Sequence, residues 1–441
     1  MHTTEGVLQN AAAPVAQEER ITILDSLRGI AILGILLMNI PGFALPDPVL
    51  HDPSVLKEWG TVNFKTWYFI EWFMEGSQRA LFSMLFGAGI VLFISRQQKK
   101  SEGLYPADYF FRRQLWLLVF GLFNAFILLW FWDILFHYAC LGMIAFAFRR
   151  LSVKGLIIGA VICLCLQTVR ENVDAYRDRQ HIYKGEAIAK IDTTVTKLTE
   201  DQKEDMGPMT EMKEKSSEKG KLKKMEKSLK SMRGSYGGMY EYQSERSLYG
   251  EFYYTYFGAG DILLFMFLGM AFFKSGILMG QASAKVYWIM FIAGMAIGLT
   301  LSYFRLQPLI DYKFDRFEYT KNNYFEFYEL SRAVRAIGIF GLIMLLYKSG
   351  LFKWFFALMR PVGQMAFTNY LMQSLLVGLF FYGIGFGMFG KLQRYEIYYV
   401  VAATWLLQII WSHVWLRFFR FGPLEWLWRS LTYWKIQPFK K

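Results

Sequence analysis

The sequence predicts an all-α membrane protein: a polytopic bundle of about ten transmembrane helices with a hydrophilic, mostly helical insert on the outer side of the membrane. Two observations predict this class. Hydrophobic residues make up 54% of the 441 residues and charged residues only 19%, which is the balance of a multi-span membrane protein. Apolar runs of roughly 20 residues also recur along the chain, and a helix of that length crosses about 30 Å of hydrocarbon.

Each span corresponds to one apolar run that ends in turn-forming or polar residues. The runs predict spans over residues 24–45, 70–95, 111–131, 133–149, 152–170, 256–275, 283–303, 329–348, 361–383 and 396–417. The chain then divides into a cytoplasmic N-terminal tail (1–23), transmembrane helices 1–5 (24–170), an extracytoplasmic charged insert (171–255), transmembrane helices 6–10 (256–417) and a cytoplasmic amphipathic tail (418–441).

The distribution of basic residues predicts the orientation. The net charge is +13, which would suggest a nucleic-acid partner in a soluble protein. Here lysine and arginine concentrate beside alternate span ends, as in "RQQKK" (96–100) and "RRLSVK" (149–154). Loops of this kind are typical of the cytoplasmic side. Both termini are therefore predicted to be cytoplasmic, and nucleic-acid binding is not expected.

The insert mixes both signs of charge and contains few large aliphatic residues, so it is expected to form solvated helix that buries no sizeable core of its own. The three cysteines, Cys140, Cys163 and Cys165, fall within predicted spans. Their spacing predicts neither a disulfide framework nor a zinc site, and no metal is expected.

The first span carries three polar residues that lipid contact does not explain. Asp25 follows Thr22 at capping-box spacing and can pair with Arg28 at i+3, or Arg28 can reach lipid headgroups. Asn39 lies eleven residues after Arg28, so the two share a face of the helix to within about 20°. Its carboxamide either bonds a neighbouring helix or lines a cavity.

His51 lies in the first outer loop, close in sequence to Asn39. An unperturbed imidazole has a pKa of about 6.5, which suits a general base at neutral pH. The ordinary interpretation of a histidine in a loop is that it is simply solvated. The sequence leaves both interpretations open.

Further polar residues lie at predicted membrane depth. Glu71, Glu75 and Arg79 are spaced four residues apart and could form an ion-pair ladder. Asp261 is either a buried partner for an arginine or an acid that lines a pocket. The ninth predicted span has a polar stripe, for which hydrogen bonding between helices is the default. The candidate pocket-lining residues are therefore Asp25, Glu75, Arg79, Asp261, Asn369, Tyr370 and Gln373.

Four motifs resemble those of a known family. They are "ITILDSLRGIAILGILLMNIPGFALP" (21–46), "LFSMLFGAGIVLF" (81–93), "RPVGQMAFTNYLMQSLL" (360–376) and "FRFGPLEWLWRSLTYWK" (419–435). In this order they are similar to the YeiB family of bacterial membrane proteins. More distantly, the chain resembles the transmembrane acyltransferases, including lysosomal heparan-glucosaminide N-acetyltransferase. That enzyme moves acetyl from cytosolic acetyl-CoA to a sugar amine on the far side of its membrane.

The resemblance implies an acyltransferase in the bacterial cytoplasmic (inner) membrane, with acetyl-CoA as the acyl donor and an amine or hydroxyl acceptor on the outer side. The enzyme's first helix ends in Asn and is followed by an outer-side His, which implies catalytic roles for Asn39 and His51. The donor's phosphates would meet arginines near the cytoplasmic span ends. The candidates are Arg28, Arg112, Arg113, Arg417 and Arg420.

A second function class stays open at this point. A bundle with buried Asp, Glu and Arg could also transport or flip a small amphiphilic metabolite or a lipid. The absence of a detectable sequence repeat does not favour an inverted-repeat transporter. The expected partners are the lipid bilayer, acyl-CoA and an unidentified outer-side acceptor, and the sequence is compatible with a homodimer.

Overall fold

The chain is helical over the range that the structure describes. The structure is a computed structural model that describes residues 21–99, 103–192 and 197–441. Within these ranges the backbone folds into helices and connecting turns, apart from one antiparallel bridge between Phe419 and Lys440. The predicted all-α class is therefore confirmed. Most of the predicted N-terminal tail, residues 1–20, lies outside the described residues.

Eighteen α-helices occur in the described ranges. In chain order they are α1 (Thr22–Ala44), α2 (Val62–Phe69), α3 (Ser77–Gln98), α4 (Tyr105–Phe126), α5 (Leu135–Ala147), α6 (Val153–Ala189), α7 (Glu200–Ser216), α8 (Glu218–Met232), α9 (Tyr236–Leu248), α10 (Thr255–Phe257), α11 (Ala259–Lys274), α12 (Ala284–Asp311), α13 (Arg316–Asn322), α14 (Tyr328–Ser349), α15 (Lys353–Gln364), α16 (Ala366–Phe381), α17 (Ile397–Phe418) and α18 (Pro423–Tyr433). Two π-helical segments, Ile70–Met74 and Tyr249–Tyr254, and one 3₁₀ turn, Ile277–Met279, complete the helical structure.

Six helical segments of the described chain are long and apolar enough to cross a membrane. They are α1, the continuous stretch Val62–Gln98, α6, α12, α14 and α17, and the count rises to seven if Tyr236–Phe257 and α11, which meet at a 62° bend, form one broken span. The predicted membrane character is therefore confirmed. The predicted number of ten spans is not confirmed: α4 and α11 are not among the six segments, and α5 and α16 are shorter apolar helices.

Two predicted boundaries differ from the structure for identifiable reasons. The fifth span was expected to end at residue 170, but α6 continues to Ala189. The residues after 170 are too polar for lipid yet remain good helix formers, so the apolar run and the helix end at different places. The ninth predicted span is divided at Met365, because the carboxylate of Glu425 in α18 accepts hydrogen bonds from the Phe367 and Thr368 amides and so caps a new helix there.

α1 is the central helix of the bundle. Of its apolar window, 72% is buried inside the protein, against 11% for α6, which faces outward. Glycine allows α1 to approach α15 closely: a Cβ on Gly363 would overlap the carbonyl oxygen of Asp25, and a Cβ on Gly29 would overlap the carbonyl of Met359. Small residues bring helices together in this way where lipid removes the hydrophobic driving force between them.

We predict that Gly363→Ala destabilises the protein by about 1–3 kcal/mol, because the added methyl group forces α1 and α15 apart. Thermal unfolding of the detergent-purified protein measures the change. Gly237→Ala is the control, since a Cβ at this exposed position of α9 meets only the Ser235 hydroxyl at 4.0 Å. Equal melting temperatures for Gly363→Ala and wild type would contradict the role of this contact.

Candidate functional site

Two cavities lie at opposite ends of α1. The large cavity, of about 1480 Å³, is lined by the C-terminal half of α1, by the following loop and by parts of α8 and α9. The small cavity, of about 250 Å³, is lined by the N-terminal half of α1, by α3 and α4 and by α18. Each end of the buried central helix therefore borders a cavity.

Asn39 and His51 both line the large cavity. Asn39 is half-buried in the last turns of α1, ahead of Pro41, and its carboxamide makes no hydrogen bond to a described residue. Of the two interpretations left open by the sequence, the structure favours the cavity over a bond to a neighbouring helix. The carboxamide is therefore free to bind a molecule in the large cavity.

The imidazole of His51 is exposed to the cavity, and its ring centroid lies 5.9 Å from that of Trp132. His51 belongs to the loop between α1 and α2, outside the membrane-spanning helices. The surrounding protein withdraws the ring from bulk water and lowers its pKa below 6.5, although nearby Glu71 acts in the opposite direction. At neutral pH the ring is therefore uncharged and can accept a proton.

The ion-pair ladder predicted from Glu71, Glu75 and Arg79 does not form. Glu71 lies in the π-helical segment, and Gly76 has a φ of +69°, so the α-helical register is lost between these residues. Each side chain instead bonds another helix. Glu71 pairs with Arg305 at 2.8 Å, and Glu75 accepts a hydrogen bond from the Tyr328 hydroxyl at 2.9 Å.

Arg79 joins a buried charged cluster beneath the large cavity. Its Nη2 lies 2.8 Å from a carboxylate oxygen of Asp261 in α11. Asp261 also pairs with Arg332 of α14, which is fully buried and bonds Glu329 as well. Asp261 is thus the buried partner of two arginines. Of the predicted pocket residues in this region, Glu75 and Arg79 line the cavity, whereas Asp261 lies behind them.

The small cavity brings together two of the five arginines predicted to meet the donor. These two are Arg28 and Arg113. Arg28 pairs with Asp25 at 3.0 Å, and the guanidinium of Arg113 lies 3.9 Å from the Trp428 ring centroid. Arg96 and Arg429 also line the small cavity. The sequence features that could have indicated them are the basic "RQQKK" loop for Arg96 and the amphipathic C-terminal helix for Arg429.

The other three predicted arginines lie elsewhere. Arg112 pairs with Asp108 and lies over the Trp434 ring. Arg417 and Arg420 are exposed, and Arg420 donates a hydrogen bond to the Lys440 carbonyl. The sequence criterion was nearness to a span end. This criterion does not specify the direction in which a side chain points, so it could not distinguish these three arginines from Arg28 and Arg113.

A thin partition separates the two cavities. Ile134 lines the large cavity, and its neighbour Leu135 lines the small one. Tyr370, on the small side, donates a hydrogen bond to Asp133, on the large side, at 3.2 Å. The Tyr138 hydroxyl similarly bonds the Arg79 carbonyl at 3.3 Å. Single side chains therefore span the distance between the two spaces.

The remaining residues of the predicted polar stripe hold helices together. Asn369 donates a hydrogen bond to Ser412 of α17 at 3.1 Å, and Gln373 donates to Gln408 of α17 at 3.0 Å. Both side chains are buried, and neither lines either of the two cavities. These two residues form hydrogen bonds between helices, which is the usual role of polar residues within a membrane bundle.

The contribution of the insert to the large cavity was not predicted from the sequence. Several lysines and tyrosines of α7–α9 and of the following π-helical segment line the large cavity, among them Lys224, Lys227, Lys230, Tyr242 and Tyr249. Their recurrence on one helical face was the available signal. The described residues contain no group of three His, Cys, Asp or Glu side chains that could hold a metal ion.

We predict that Arg332→Met destabilises the protein by about 3–5 kcal/mol, because it leaves the mostly buried carboxylate of Glu329 without its arginine partner. The melting temperature and the yield of folded protein measure the effect. The double variant Arg332→Met with Glu329→Gln should recover part of the loss, since it also removes the uncompensated charge. If the double variant is no more stable than Arg332→Met, the charge balance is not the cause.

Comparisons with known proteins identify similar chains of nearly the same length. The family described as "Protein of unknown function (DUF418)" matches residues 272–435. YxaH of Bacillus subtilis is 29% identical over 97% of this chain and 98% of its own length, and YeiB of Escherichia coli is 30% identical over 94% and 96%. Both are described as uncharacterized proteins. No solved structure matches this chain.

Proposed function

This chain belongs to the YeiB family, and on that premise we propose that it is a membrane acyltransferase that moves an acyl group, acetyl in the first instance, from cytoplasmic acyl-CoA to an amine or hydroxyl acceptor on the outer side. One observation carries the proposal: two cavities of different chemistry meet at a thin partition within the bundle. A reaction between a donor and an acceptor confined to opposite sides of a membrane needs such a pair of spaces.

We propose that the small cavity faces the cytoplasm of a bacterial cell and that the insert lies outside. The basic residues at the small-cavity end of the bundle, such as Arg28 and Arg96, support this orientation under the positive-inside rule. Both termini would then be cytoplasmic. The ten-span count would be reached if α4, which at 22 residues is about 33 Å long, and the shorter α5 and α16 also cross.

The small cavity suits the donor. Arg28, Arg113 and Arg429 would hold the phosphates of the nucleotide at its mouth, and arginine suits phosphate because its planar fork donates two parallel hydrogen bonds. Phenylalanine and leucine side chains line the rest of the cavity and would enclose the slender thioester arm. Trp428 supports this arrangement by stacking on Arg113.

The large cavity would hold the acceptor and the catalytic residues. The acceptor's nitrogen or oxygen attacks the thioester carbonyl while His51 takes its proton, and the carboxamide of Asn39 donates a hydrogen bond to the developing oxyanion. The carbon–sulfur bond then breaks, and protonated His51 returns the proton to the leaving thiolate. The acylated acceptor stays in the large cavity, and free CoA returns to the cytoplasm.

We predict that acetyl-CoA binds the purified protein and that Arg28→Gln with Arg113→Gln weakens binding at least tenfold, because phosphate contacts are lost. Calorimetric titration measures the dissociation constants. The double variant Arg417→Gln with Arg420→Gln removes the same charge outside the cavity and should bind as wild type does. Absence of binding at millimolar acetyl-CoA, or equal weakening in both double variants, would contradict the donor site.

We predict that His51→Ala abolishes acyl transfer without lowering the melting temperature, and that Asn39→Ala slows transfer by about 10²–10³. Transfer of labelled acetyl from acetyl-CoA to bacterial envelope extract in proteoliposomes measures the rate. The base must be neutral, so the wild-type rate should fall only as the pH drops through the lowered pKa of His51, below 6.5. A fall centred above pH 6.5, or full activity in His51→Ala, would contradict this role.

Transport of a small amphiphile is the second candidate. The thin partition between opposed cavities favours it, since alternating access uses the same arrangement. The two functions differ in covalent chemistry. Movement of labelled lipid or metabolite across proteoliposomes without consumption of acetyl-CoA would support transport and contradict acyl transfer.

A further inference from the structure

One wall of the large cavity comes from the insert. The lining positions on α8 and α9 recur every three or four residues, as in Lys224, Lys227 and Ser231 and then Ser235, Gly238 and Tyr242. This spacing corresponds to one face of each helix. A single continuous surface of the insert, here called the insert wall, therefore faces Asn39 and His51 across the cavity.

Other contacts of the insert fix the insert wall to the rest of the protein. Lys221 pairs with Asp52 at 2.7 Å, and the Ser228 hydroxyl accepts a hydrogen bond from the Asp47 amide at 3.3 Å. Farther along, the Arg233 Nε donates to the Phe389 carbonyl at 2.7 Å. The sequence predicted a solvated segment, whereas these contacts make it a defined side of the site.

The basic end of the insert wall has spare positive charge. Lys227 and Lys230 are exposed and form no ion pair with a described residue. Lys224 lies 3.8 Å from Asp47, but that carboxylate is already bonded by Arg246 at 3.2 Å. Three ammonium groups on one face of α8 therefore lack a close, unshared counterion within the described chain.

The acids around the cavity do not neutralise this charge. Glu71 and Glu329 are engaged by arginines, and Glu75 accepts a hydrogen bond from a tyrosine. The acids of the insert wall itself, Glu241 and Glu245, lie on α9, beyond the break at residues 233–235. The insert wall is thus basic along α8, whereas α9 contributes Arg246 together with these two acids.

A second cation lies at the floor of the cavity. Arg79 is 28% exposed there, and of its three guanidinium nitrogens only Nη2 bonds a described residue, Asp261. The other two nitrogens remain available as donors. The cavity therefore offers positive charge both on its insert wall and at its floor.

We propose that the acceptor carries a phosphate group and that Lys224, Lys227 and Lys230 bind it. Flexible ammonium groups suit phosphate as mobile point charges, and three of them supply more than the positive charge needed to balance a phosphate ester and several donors for its non-bridging oxygens. The phosphate belongs either to a lipid headgroup or to a free phosphate ester. This proposal uses the large cavity as the acceptor site of the proposed function, but it requires binding alone and no acyl transfer.

The test compares two double variants of the full-length detergent-purified protein. Lys227→Gln with Lys230→Gln removes two cavity-facing lysines, and Lys219→Gln with Lys223→Gln removes two exposed lysines from the same helix that do not line the cavity. The probes are glycerol 3-phosphate, phosphatidylglycerol and, as the uncharged reference, diacylglycerol. Thermal shift and native mass spectrometry measure binding.

Wild type and the Lys219/Lys223 variant should bind a phosphate probe with equal affinity. The Lys227/Lys230 variant should bind it at least tenfold more weakly. Diacylglycerol should bind to none of the three proteins specifically. Preference for phosphatidylglycerol identifies a lipid headgroup, and preference for glycerol 3-phosphate a free ester. Failure of wild type to bind either phosphate, or equal weakening in both variants, overturns the proposal. Its outcome is separable from that of the acyltransferase, since loss of acetyl-CoA binding would leave these affinities unchanged.

Discussion

The burial of α1 is the constraint on which the rest of the structure depends. Because neighbouring helices surround it, its polar residues cannot reach lipid and must face protein or enclosed space. Arg28 and Asn39 share a face about 16 Å apart along the axis, so each faces the cavity at its own end. The close approach through Gly29 and Gly363 keeps α15 against this helix and leaves the polar face to the two cavities.

The floor of the large cavity is held by charge instead of apolar packing. Asp261 joins Arg79 of α3 to Arg332 of α14, so one carboxylate ties three helices together. In a bundle within lipid, where apolar contact gives little preference for protein over membrane, such bonds specify which helices meet. Two nitrogens of Arg332 have no hydrogen-bond partner in the described chain, so the cluster is fixed by its net charge balance more than by complete satisfaction of every donor.

The sequence predicted what depends on composition and on regular helical spacing. The all-α membrane class followed from the apolar runs, and the shared face of Arg28 and Asn39 followed from α1 being an uninterrupted helix to Ala44. The ladder through Glu75 failed because a π-helical segment and a left-handed glycine interrupt the register, and neither has a clear signature in a single sequence.

Predictions that depended on tertiary placement were less complete. Arg113 lines the small cavity and stacks on Trp428, whereas its neighbour Arg112 points to another face of α4, where it contacts Asp108 and Trp434. The insert wall was missed for a related reason. Its composition resembles that of a free, solvated helix, and its docking depends on single contacts such as that between Lys221 and Asp52.

The partition between the cavities is the feature that relates structure to either proposed function. It is closed by hydrogen bonds of Tyr138 and Tyr370, not by an ion pair between two full charges. A hydrogen bond of this kind contributes only about 1 kcal/mol net, and a tyrosine side chain can rotate about two torsions without unfolding its helix. These hydrogen bonds are separate from the ion pairs of the Asp261 cluster beneath the cavity. The proposed acyl transfer would need the two spaces to be joined only at these side chains, whereas the alternative, transport, would need the larger rearrangement of alternating access.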